Sequence, residues 1–291
     1  MKTTVKFAIG DSAYPARLKE LASPPAAIWA TGDLRANVVV AIVGSRKATG
    51  EGAEFAYQLA FEVAARGGVV VSGGARGIDA AAHRGALAAG GRTWAVAPNG
   101  SGRFYPPQHK TLFDEIAHSS GAMIWPFPPG TPPTQGNFLR RNRVLAALAH
   151  AVVVPQAAFP SGALGAVAQA RAIGRAVWAA VGAPWMAEFE GGRMAVRQGA
   201  QVLVSKEQVL RGVGLRLAQG EGGPAGQGAR EAAIQQKILA ILADGAAFHP
   251  DEICALTQIA AGDAGELMAA LMLLVLGGHV VAAADGSFQI R

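Results

Sequence analysis

The sequence lacks several features that other classes of protein require. Its single cysteine, Cys254, allows neither an internal disulfide nor a Cys-x-x-Cys metal site, which indicates a reducing compartment. Only 16% of the 291 residues are charged and 51% are hydrophobic, so the chain is not intrinsically disordered. The N-terminus has no apolar stretch of signal-peptide length, and proline or glycine interrupts the two longest uncharged runs, 144–170 and 267–284. We therefore expect a cytoplasmic globular protein without a membrane span.

Acidic residues are scarce in the middle of the chain. Residues 40–175 carry 13 basic and 6 acidic residues, whereas residues 231–291 carry 2 basic and 7 acidic residues. The stretch between Glu115 and Glu188 has no acidic residue and contains Arg140, Arg141, Arg143, Arg171 and Arg175. Basic sequence without interspersed acid is typical of a polyanion-binding surface. The alternative is a merely solvated basic face, although such faces usually mix both signs.

The same stretch removes acids that catalysis would need. Asp79 and His83 stand four residues apart in a predicted helix and could form an acid/base pair or half a metal site. The other histidines form no spacing motif, and an aspartate at a helix start is more often a structural residue stabilised by the helix dipole. Ser161 lies outside any Gly-x-Ser-x-Gly motif. We expect no catalytic residue, metal site or cofactor.

From Val38 onward, short apolar runs alternate with helical patterns. The predicted strands are Val38–Val43, Val69–Ser72, Thr93–Ala97, Ala122–Trp125, Ala151–Val154 and Ala176–Val181. The predicted helices are Ala53–Ala65, Ile78–Ala89, Gln108–His118, Phe138–His150 and Leu164–Ile173. Strands that are apolar throughout suit a parallel sheet covered on both faces. The pattern predicts an α/β fold with a Rossmann-like, doubly wound, mainly parallel sheet over residues 36–215, closed by a strand at Gln201–Ser205 and a helix at Lys206–Arg211.

We expect three further segments around that domain. Residues 1–35 are a short N-terminal extension, residues 216–230 a flexible glycine-rich linker, and residues 231–291 a small winged-helix-like domain. The domain's predicted elements are helices Glu231–Ala243, Asp251–Leu256 and Gly265–Leu276, and strands Val280–Ala283 and Ser287–Ile290 around an Ala-Asp-Gly turn. Because its second helix has acidic and no basic residues, we expect this domain to contact protein rather than DNA.

Ligands of doubly wound sheets bind outside the carboxyl ends of the strands, at the loops that lead into helices. Four such loops are candidates here: Gly44–Gly52, Gly73–Asp79, Pro128–Asn137 and Pro155–Gly165. Their glycines let a phosphate approach the backbone, and Arg46, Lys47 and Arg76 could neutralise it. Neither common nucleotide fingerprint, Gly-x4-Gly-Lys-Ser/Thr or Gly-x-Gly-x2-Gly, is satisfied.

The segment FLRRNR, Phe138–Arg143, is the most informative one. Arginine is disfavoured near a helix N-terminus, where the macrodipole is positive, so three arginines there indicate an external anion. Phe138 could stack on a base or could pack the helix start into the core. Asn142 could read a base edge or tie down a loop carbonyl, and we favour the loop carbonyl.

Several segments, taken in order, carry a resemblance to a known family. They are AIVGSRKATGEG, VSGGARGIDAAAH, YPPQHKTLFDEI, FPPGTPPTQGNFLRRNRVLAALA, SGAL and RQGAQVLV. Together they resemble the DNA-processing protein A family (DprA, also called Smf) over residues 10–211, with a looser match at 231–291. The resemblance implies a non-enzymatic protein that binds single-stranded DNA in natural transformation, forms homodimers and helps to load the RecA recombinase. The expected DNA-binding residues are Gly44, Ser45, Arg46, Lys47, Gly74, Arg76, Phe138, Arg140, Arg141, Asn142, Arg143 and Gly162.

The sequence also departs from the family pattern. A glutamate common after one strand is Gln156, a Ser-Glu pair is Trp125-Pro126, and a basic position of some members is Gln135. Loss of two acids predicts a more electropositive pocket. We expect the family's N-terminal helical domain to be missing, because only about 35 residues precede the first predicted strand. Base preference should be weak, since stacking and phosphate contacts tolerate any base. The alternative function is an enzyme or sensor that uses the same pocket for a nucleotide or phosphosugar.

Overall fold

The computed structural model describes residues 3–215, 234–243, 246–257, 267, 270–271, 274–275, 279–283 and 287–290. The chain divides into two compact units, Met1–Leu217 and Ala218–Arg291. Among the helices in these ranges, none has the length and hydropathy to cross a membrane. The predicted linker, residues 216–230, falls outside the described residues.

The first unit is built on a nine-stranded sheet. Its strands are β1 (Val5–Ala8), β2 (Ala27–Ala30), β3 (Val39–Ile42), β4 (Val69–Ser72), β5 (Arg92–Val96), β6 (Ala122–Trp125), β7 (Ala151–Val154), β8 (Ala176–Ala179) and β9 (Gln201–Val202). Its α-helices are α1 (Gly50–Ala65), α2 (Ile78–Ala88), α3 (Lys110–His118), α4 (Gln135–Leu148), α5 (Ala163–Ala172), α6 (Glu190–Arg197) and α7 (Lys206–Gly212). Short 3-10 turns occupy Ala16–Glu20, Pro107–His109 and Ala187–Phe189.

The strand order is β1-β2-β6-β5-β4-β3-β7-β8-β9, and every pair from β6 to β9 is parallel. Strand β3 lies between β4 and β7, so the order reverses direction at this strand. Such a switch point opens a crevice at the carboxyl ends of the strands. This topology confirms the predicted Rossmann-like fold.

The strands of the central sheet are covered on both faces, as their uniform hydrophobicity predicts. Val39 and Ala41 of β3 join one apolar core, which includes residues of α4 and α5. Val40 and Ile42 point to the other core, which includes residues of α1, α2 and α7. Alternate residues of one strand therefore serve two cores, and helices on both faces hold the loops above the switch point.

The expectation that the first strand begins at Val38 is wrong. Strand β2 pairs antiparallel with β1 on one side and with β6 on the other, so both extend the sheet. Leu18 and Ile28 are fully buried in the same core as β3. Residues 1–35 are therefore part of this unit. The two strands have only four residues each and partly exposed faces, which leaves little periodicity for a sequence pattern to show.

The second unit has a small core of its own. Residues 234–242 are helical (α8), α9 spans Pro250–Thr257, and residues 267, 270–271 and 274–275 are helical. Strands β10 (Val280–Ala282) and β11 (Phe288–Ile290) pair antiparallel. These elements agree with the predicted helices and hairpin, whereas the Ala-Asp-Gly turn lies outside the described residues. The winged-helix arrangement stays a prediction.

Candidate functional site

A cavity of about 790 Å³ opens at the switch point. The loop after β3 contributes Gly44, Ser45, Arg46 and Lys47, and α4 contributes Phe138, Leu139, Arg141, Asn142 and Leu145. The loop after β7 closes another side with residues 158–162. Three of the four predicted loops, those after β3, β4 and β7, thus line one cavity. The fourth predicted loop, Pro128–Asn137, leads into α4, which lines the same cavity.

Gln156 fixes the loop after β3. Its backbone carbonyl accepts a hydrogen bond from the Ser45 N–H at 2.8 Å, and its side-chain Oε1 accepts one from the Thr49 N–H at 2.9 Å. The Thr49 hydroxyl in turn caps α1 by accepting from the Gly52 N–H. Gln156 is fully buried and does not line the cavity, so its side chain holds the loop rather than a ligand.

The loop after β4 packs directly on the loop after β3. Gly77 has φ of +74°, and a Cβ at this position would lie 2.2 Å from the Ser45 carbonyl oxygen. The Ile78 N–H donates to that same oxygen at 3.1 Å. Gly74 also has positive φ, and a Cβ there would lie 2.5 Å from the Phe113 ring. Glycine at these two positions permits the contact of the loop after β4 with the loop after β3 and with the Phe113 ring of α3.

Asp79 and Arg141 place opposite charges beneath the cavity. Asp79 Oδ2 accepts hydrogen bonds from the backbone N–H groups of Gly73 and Ala75, at 3.1 and 3.2 Å. Arg141 is buried, and its Nη1 donates to the Val96 carbonyl at 2.9 Å. Burial raises the pKa of Asp79, and the positive charge of Arg141 opposes that rise. Burial lowers the pKa of Arg141, and Asp79 opposes this shift.

Phe138 stands between positive charges. The Arg46 and Arg141 guanidinium carbons lie 5.6 and 5.9 Å from the ring centroid, within the range of cation–π attraction. Tyr105 meets the same ring edge-on, with centroids 5.4 Å apart. Phe138 is half-buried and lines the cavity, so it belongs to the site.

A second cavity of about 380 Å³ adjoins the first. Arg46, Phe138 and Arg141 line both spaces, and Arg76 and Tyr105 line only the second. Three of its lining residues are arginines and none is acidic. The predicted site residue Arg76 thus lies beside the main cavity rather than in it.

Helix α4 begins earlier than predicted. Thr134 caps it by accepting from the Asn137 N–H, so the helix starts at Gln135 instead of Phe138. The arginines of FLRRNR therefore lie beyond the first turn, where the macrodipole argument for a bound anion does not apply. Arg140 is exposed, Arg143 Nη2 approaches the Ser23 carbonyl at 3.5 Å, and neither lines the two cavities.

The acid-free stretch does not form one basic surface. Arg175 pairs with Glu20 at 2.7 Å, and Arg141 is buried. Two acidic residues, Asp79 and Glu188, are among those that line the main cavity. Arginines that are neighbours in the sequence point to different sides of their helices, and acidic residues from distant parts of the chain lie beside them. A stretch of sequence without acidic residues therefore does not form a surface without acidic residues.

Hydrogen bonds bear on two of the open alternatives. Asn142 Nδ2 donates to the Gly162 carbonyl at 3.0 Å, which confirms its role in tying down a loop. The Thr93 hydroxyl donates to the Val70 carbonyl and lies 2.7 Å from His83 Nδ1, so it accepts a hydrogen bond from the His83 Nδ1–H. Asp79 and His83 thus have separate partners. In the described ranges, no three His, Cys, Asp or Glu residues come together as a metal site.

Two residues of the site escaped the sequence analysis in different ways. Gln156 stands out in the sequence only as a departure from a family pattern, which predicts a change in the charge of the pocket, whereas the structure buries it outside the cavity lining. Glu188 appeared only as the end of the acid-free stretch, yet it lines the cavity. Its position in a 3-10 turn before the unpredicted helix α6 left no local signal.

The chain is similar in sequence to known DNA processing proteins. Over 203 residues the chain is 40% identical to a DprA-type DNA processing protein of Mycobacterium tuberculosis, covering 68% of this chain and 52% of that protein. Protein Smf of Synechocystis is 36% identical over 210 residues, covering 70% of this chain and 52% of the relative. The match therefore spans about half the length of these relatives.

Solved structures agree. DNA processing protein A of Streptococcus pneumoniae superposes with a TM-score of 0.66 at 33% identity, covering 75% of each chain. DNA processing protein A of Helicobacter pylori, whose structure addresses its single-stranded DNA binding mode, gives a TM-score of 0.65 at 26% identity, covering 72% of this chain and 95% of that one. The family model described as DNA recombination-mediator protein A matches residues 6–214. The chain belongs to the DNA recombination-mediator protein A family, the family of DprA and Smf.

Proposed function

We propose that this chain binds single-stranded DNA across the two adjoining cavities, without catalysis, and acts as a recombination mediator. The observation that carries the proposal is the arrangement of Arg46 and Arg141 around the Phe138 ring, where both cavities meet. Guanidinium groups suit phosphates, and an aromatic ring beside them suits a base of any identity. A single strand offers both groups at each nucleotide.

The backbone around the main cavity supports the same reading. Gly44, Ser45, Arg46 and Lys47 follow β3 at the switch point, where open α/β sheets bind their ligands. Gly162 precedes the first residue of α5 and lines the same cavity, and Gly74 gives the loop after β4 a positive φ. We assign Arg140 and Arg143 to a path that leaves the cavity along α4, since neither lines it.

Salt dependence separates this function from the alternative, a pocket for one nucleotide or phosphosugar. Binding of a fluorescent single-stranded oligonucleotide, a duplex and a mononucleotide is measured across a salt series with the full chain. A strand that contacts three or more phosphates gives a slope of log K against log salt of about −2 or steeper. We expect that slope for single strands, with weaker binding of duplex.

The opposite pattern supports the alternative. A flat slope for the oligonucleotide, with tight binding of the mononucleotide, means that the cavity serves a single small ligand. In that case the arginines act on one phosphate only, and the recombination role does not follow from this site.

Self-association and RecA loading complete the proposal. They rest on membership of a family described as recombination mediators. The tests are light scattering of the purified chain, which should give a dimer, and RecA filament growth on single strands, which the chain should accelerate. A monomer at all concentrations contradicts self-association, and an unchanged rate of filament growth contradicts RecA loading.

A further inference from the structure

The lining of the main cavity combines basic, apolar and acidic residues. Arg46 and Lys47 on the loop after β3, with Arg141 below, are the basic ones. Phe159 and Leu139, whose side chains are 53% and 63% exposed, line the cavity with apolar surface. Glu188, an acidic residue, belongs to the same lining. A nucleotide has a matching polarity, with an anionic phosphate at one end and an apolar ring with a polar edge at the other.

The fold brings Glu188 to the loop that carries Phe159. Helix α6 packs on the segment after β7, because the Gly191 N–H donates to the Ala157 carbonyl at 2.8 Å. A Cβ at Gly191 would lie 2.5 Å from the Ala158 carbonyl oxygen, so the two backbones are in close contact. Glu188 lies in the turn before this helix and is half-buried.

The Glu188 carboxylate is not used by a neighbouring cation. No ion pair in the described part of the chain includes it, whereas Glu190 two residues later pairs with Arg193 at 2.7 Å. A carboxylate repels phosphate and can only accept hydrogen bonds. Its presence in a phosphate-binding cavity therefore indicates a donor group on the ligand.

Only the nucleobase offers such donors on a strand of DNA. Guanine presents N1–H and its 2-amino group side by side, which matches the two oxygens of a carboxylate. Adenine and cytosine present one amino group beside an acceptor, and the N3–H of thymine lies between two carbonyl oxygens. Single-stranded bases are free to be read on this edge.

We propose that Glu188 and Phe159 form a nucleobase subsite that favours guanine, with the phosphate of that nucleotide on Arg46 and Lys47. This inference rests on the proposed single-strand binding and gives it a base preference that the sequence alone does not predict. The base stacks on Phe159, and Glu188 favours guanine by accepting hydrogen bonds from its N1–H and 2-amino group.

The test uses the full chain and three labelled thymidine oligonucleotides of equal length. One carries guanine at spaced positions, one carries inosine there, which lacks the 2-amino group, and one carries thymine throughout. We expect the guanine strand to bind about tenfold more tightly than the thymidine strand, with inosine between them. Glu188→Gln should bring the three affinities together.

Glu115→Gln is the matched control, since Glu115 is exposed and lines neither cavity. It makes the same change of charge and should keep the guanine preference. Equal wild-type affinities for the three strands overturn the inference while leaving the proposed function intact. An equal gain for all strands in Glu188→Gln also overturns it, because general repulsion then explains the residue. Absence of any single-strand binding by the wild type overturns both proposals.

Discussion

At the scale of single residues, the site depends on buried polar groups that hold its loops in place. Asp79 ties the backbone of the loop after β4, and Gln156 ties the loop after β3. Both residues are buried, so their hydrogen bonds hold their strength in the low local dielectric. These hydrogen bonds therefore fix the loop that carries the exposed residues Arg46 and Lys47.

His83 links the stability of this region to pH. Burial, reinforced by the charges of His109 and Arg141, lowers the pKa of His83 from 6.5 to about 3. The unfolded chain therefore takes up a proton between pH 6.5 and 3 that the folded chain does not. We expect this residue to reduce the free energy of unfolding by about 1.4 kcal/mol per pH unit as the pH falls through that window. Urea unfolding at a series of pH values measures the slope.

His83→Gln should make the slope shallower by that amount, although it destabilises the protein at neutral pH. His118→Gln is the control, because His118 is exposed and bonds only the Asp114 carbonyl on its own helix. The assignment is contradicted by an unchanged slope in His83→Gln.

Gln156 should act on DNA binding without touching DNA. Gln156→Ala removes the acceptor of the Thr49 N–H, which should cost about 1–3 kcal/mol of stability. Single-strand affinity should fall roughly 5- to 10-fold, since the freed loop must be ordered again on binding. Gln156→Glu keeps an acceptor at the same place and should bind like the wild type. If the Ala variant binds normally once folded, the loop does not need this anchor.

At the scale of elements, the loops after β3 and β4 form one interlocked unit. Gly77 at the N-terminus of α2 permits the contact with the Ser45 carbonyl. Replacement of Gly77 by alanine imposes both a strained backbone and a clash with backbone atoms, neither of which a rotamer change relieves.

Gly77→Ala is therefore expected to destabilise the protein by about 3 kcal/mol or more and to lose single-strand binding. Gly90→Ala is the matched variant, because Gly90 has φ of +64° and an alanine Cβ there would meet nothing within 4 Å. It should cost only about 1–2 kcal/mol and leave binding unchanged. Thermal unfolding and oligonucleotide titration compare the two, and equal losses would refute the interlock.

The elements that the sequence predicted well are those with buried, uniform composition. Strands β4, β6 and β7 are buried at every residue, and their predicted bounds match the structure. The sequence did not predict strands β1 and β2 or the short helix α6. The two strands are short and only partly buried, which leaves a weak hydrophobic pattern, and the glycine-containing sequence EGGRMAVR of α6 has low helix propensity.

The sequence predicted which loops form the site, but not which of the site's side chains are buried and which face the cavity. Glycine-rich turns after strands mark Gly44–Lys47 and Gly73–Gly77, whose place at the switch point follows from the topology. The burial of Arg141, the outward position of Arg140 and the approach of Glu188 depend on helix phase and on contacts between distant segments. No local pattern contains that information.

At the scale of the whole molecule, charge differs between the two units. Residues 1–217 have 23 basic and 12 acidic residues, and residues 218–291 have 3 and 8. Among the described residues, the core of the second unit runs from Ile234 to Phe288, and the two main cores of the first unit contain residues up to Leu215. DNA affinity should therefore reside in the first unit.

Deletion of residues 219–291 should leave single-strand affinity unchanged or raise it, because an acidic segment is repelled by phosphate. Titration of the full and shortened chains at low salt measures the difference. A large loss of affinity in a shortened chain that remains folded would assign DNA binding to the second unit instead.

The most direct test of single-strand binding at the switch point is a pair of charge reversals. Arg46 lines both cavities, and Arg84 is exposed on α2 and lines neither. Arg46→Glu should lower the affinity for a single-stranded oligonucleotide about 10- to 100-fold, the loss of a charge-assisted contact. Arg84→Glu, with the same change of net charge, should stay close to the wild type. Equal affinities of the two variants would contradict the account, because DNA binding would then follow net charge and not this site.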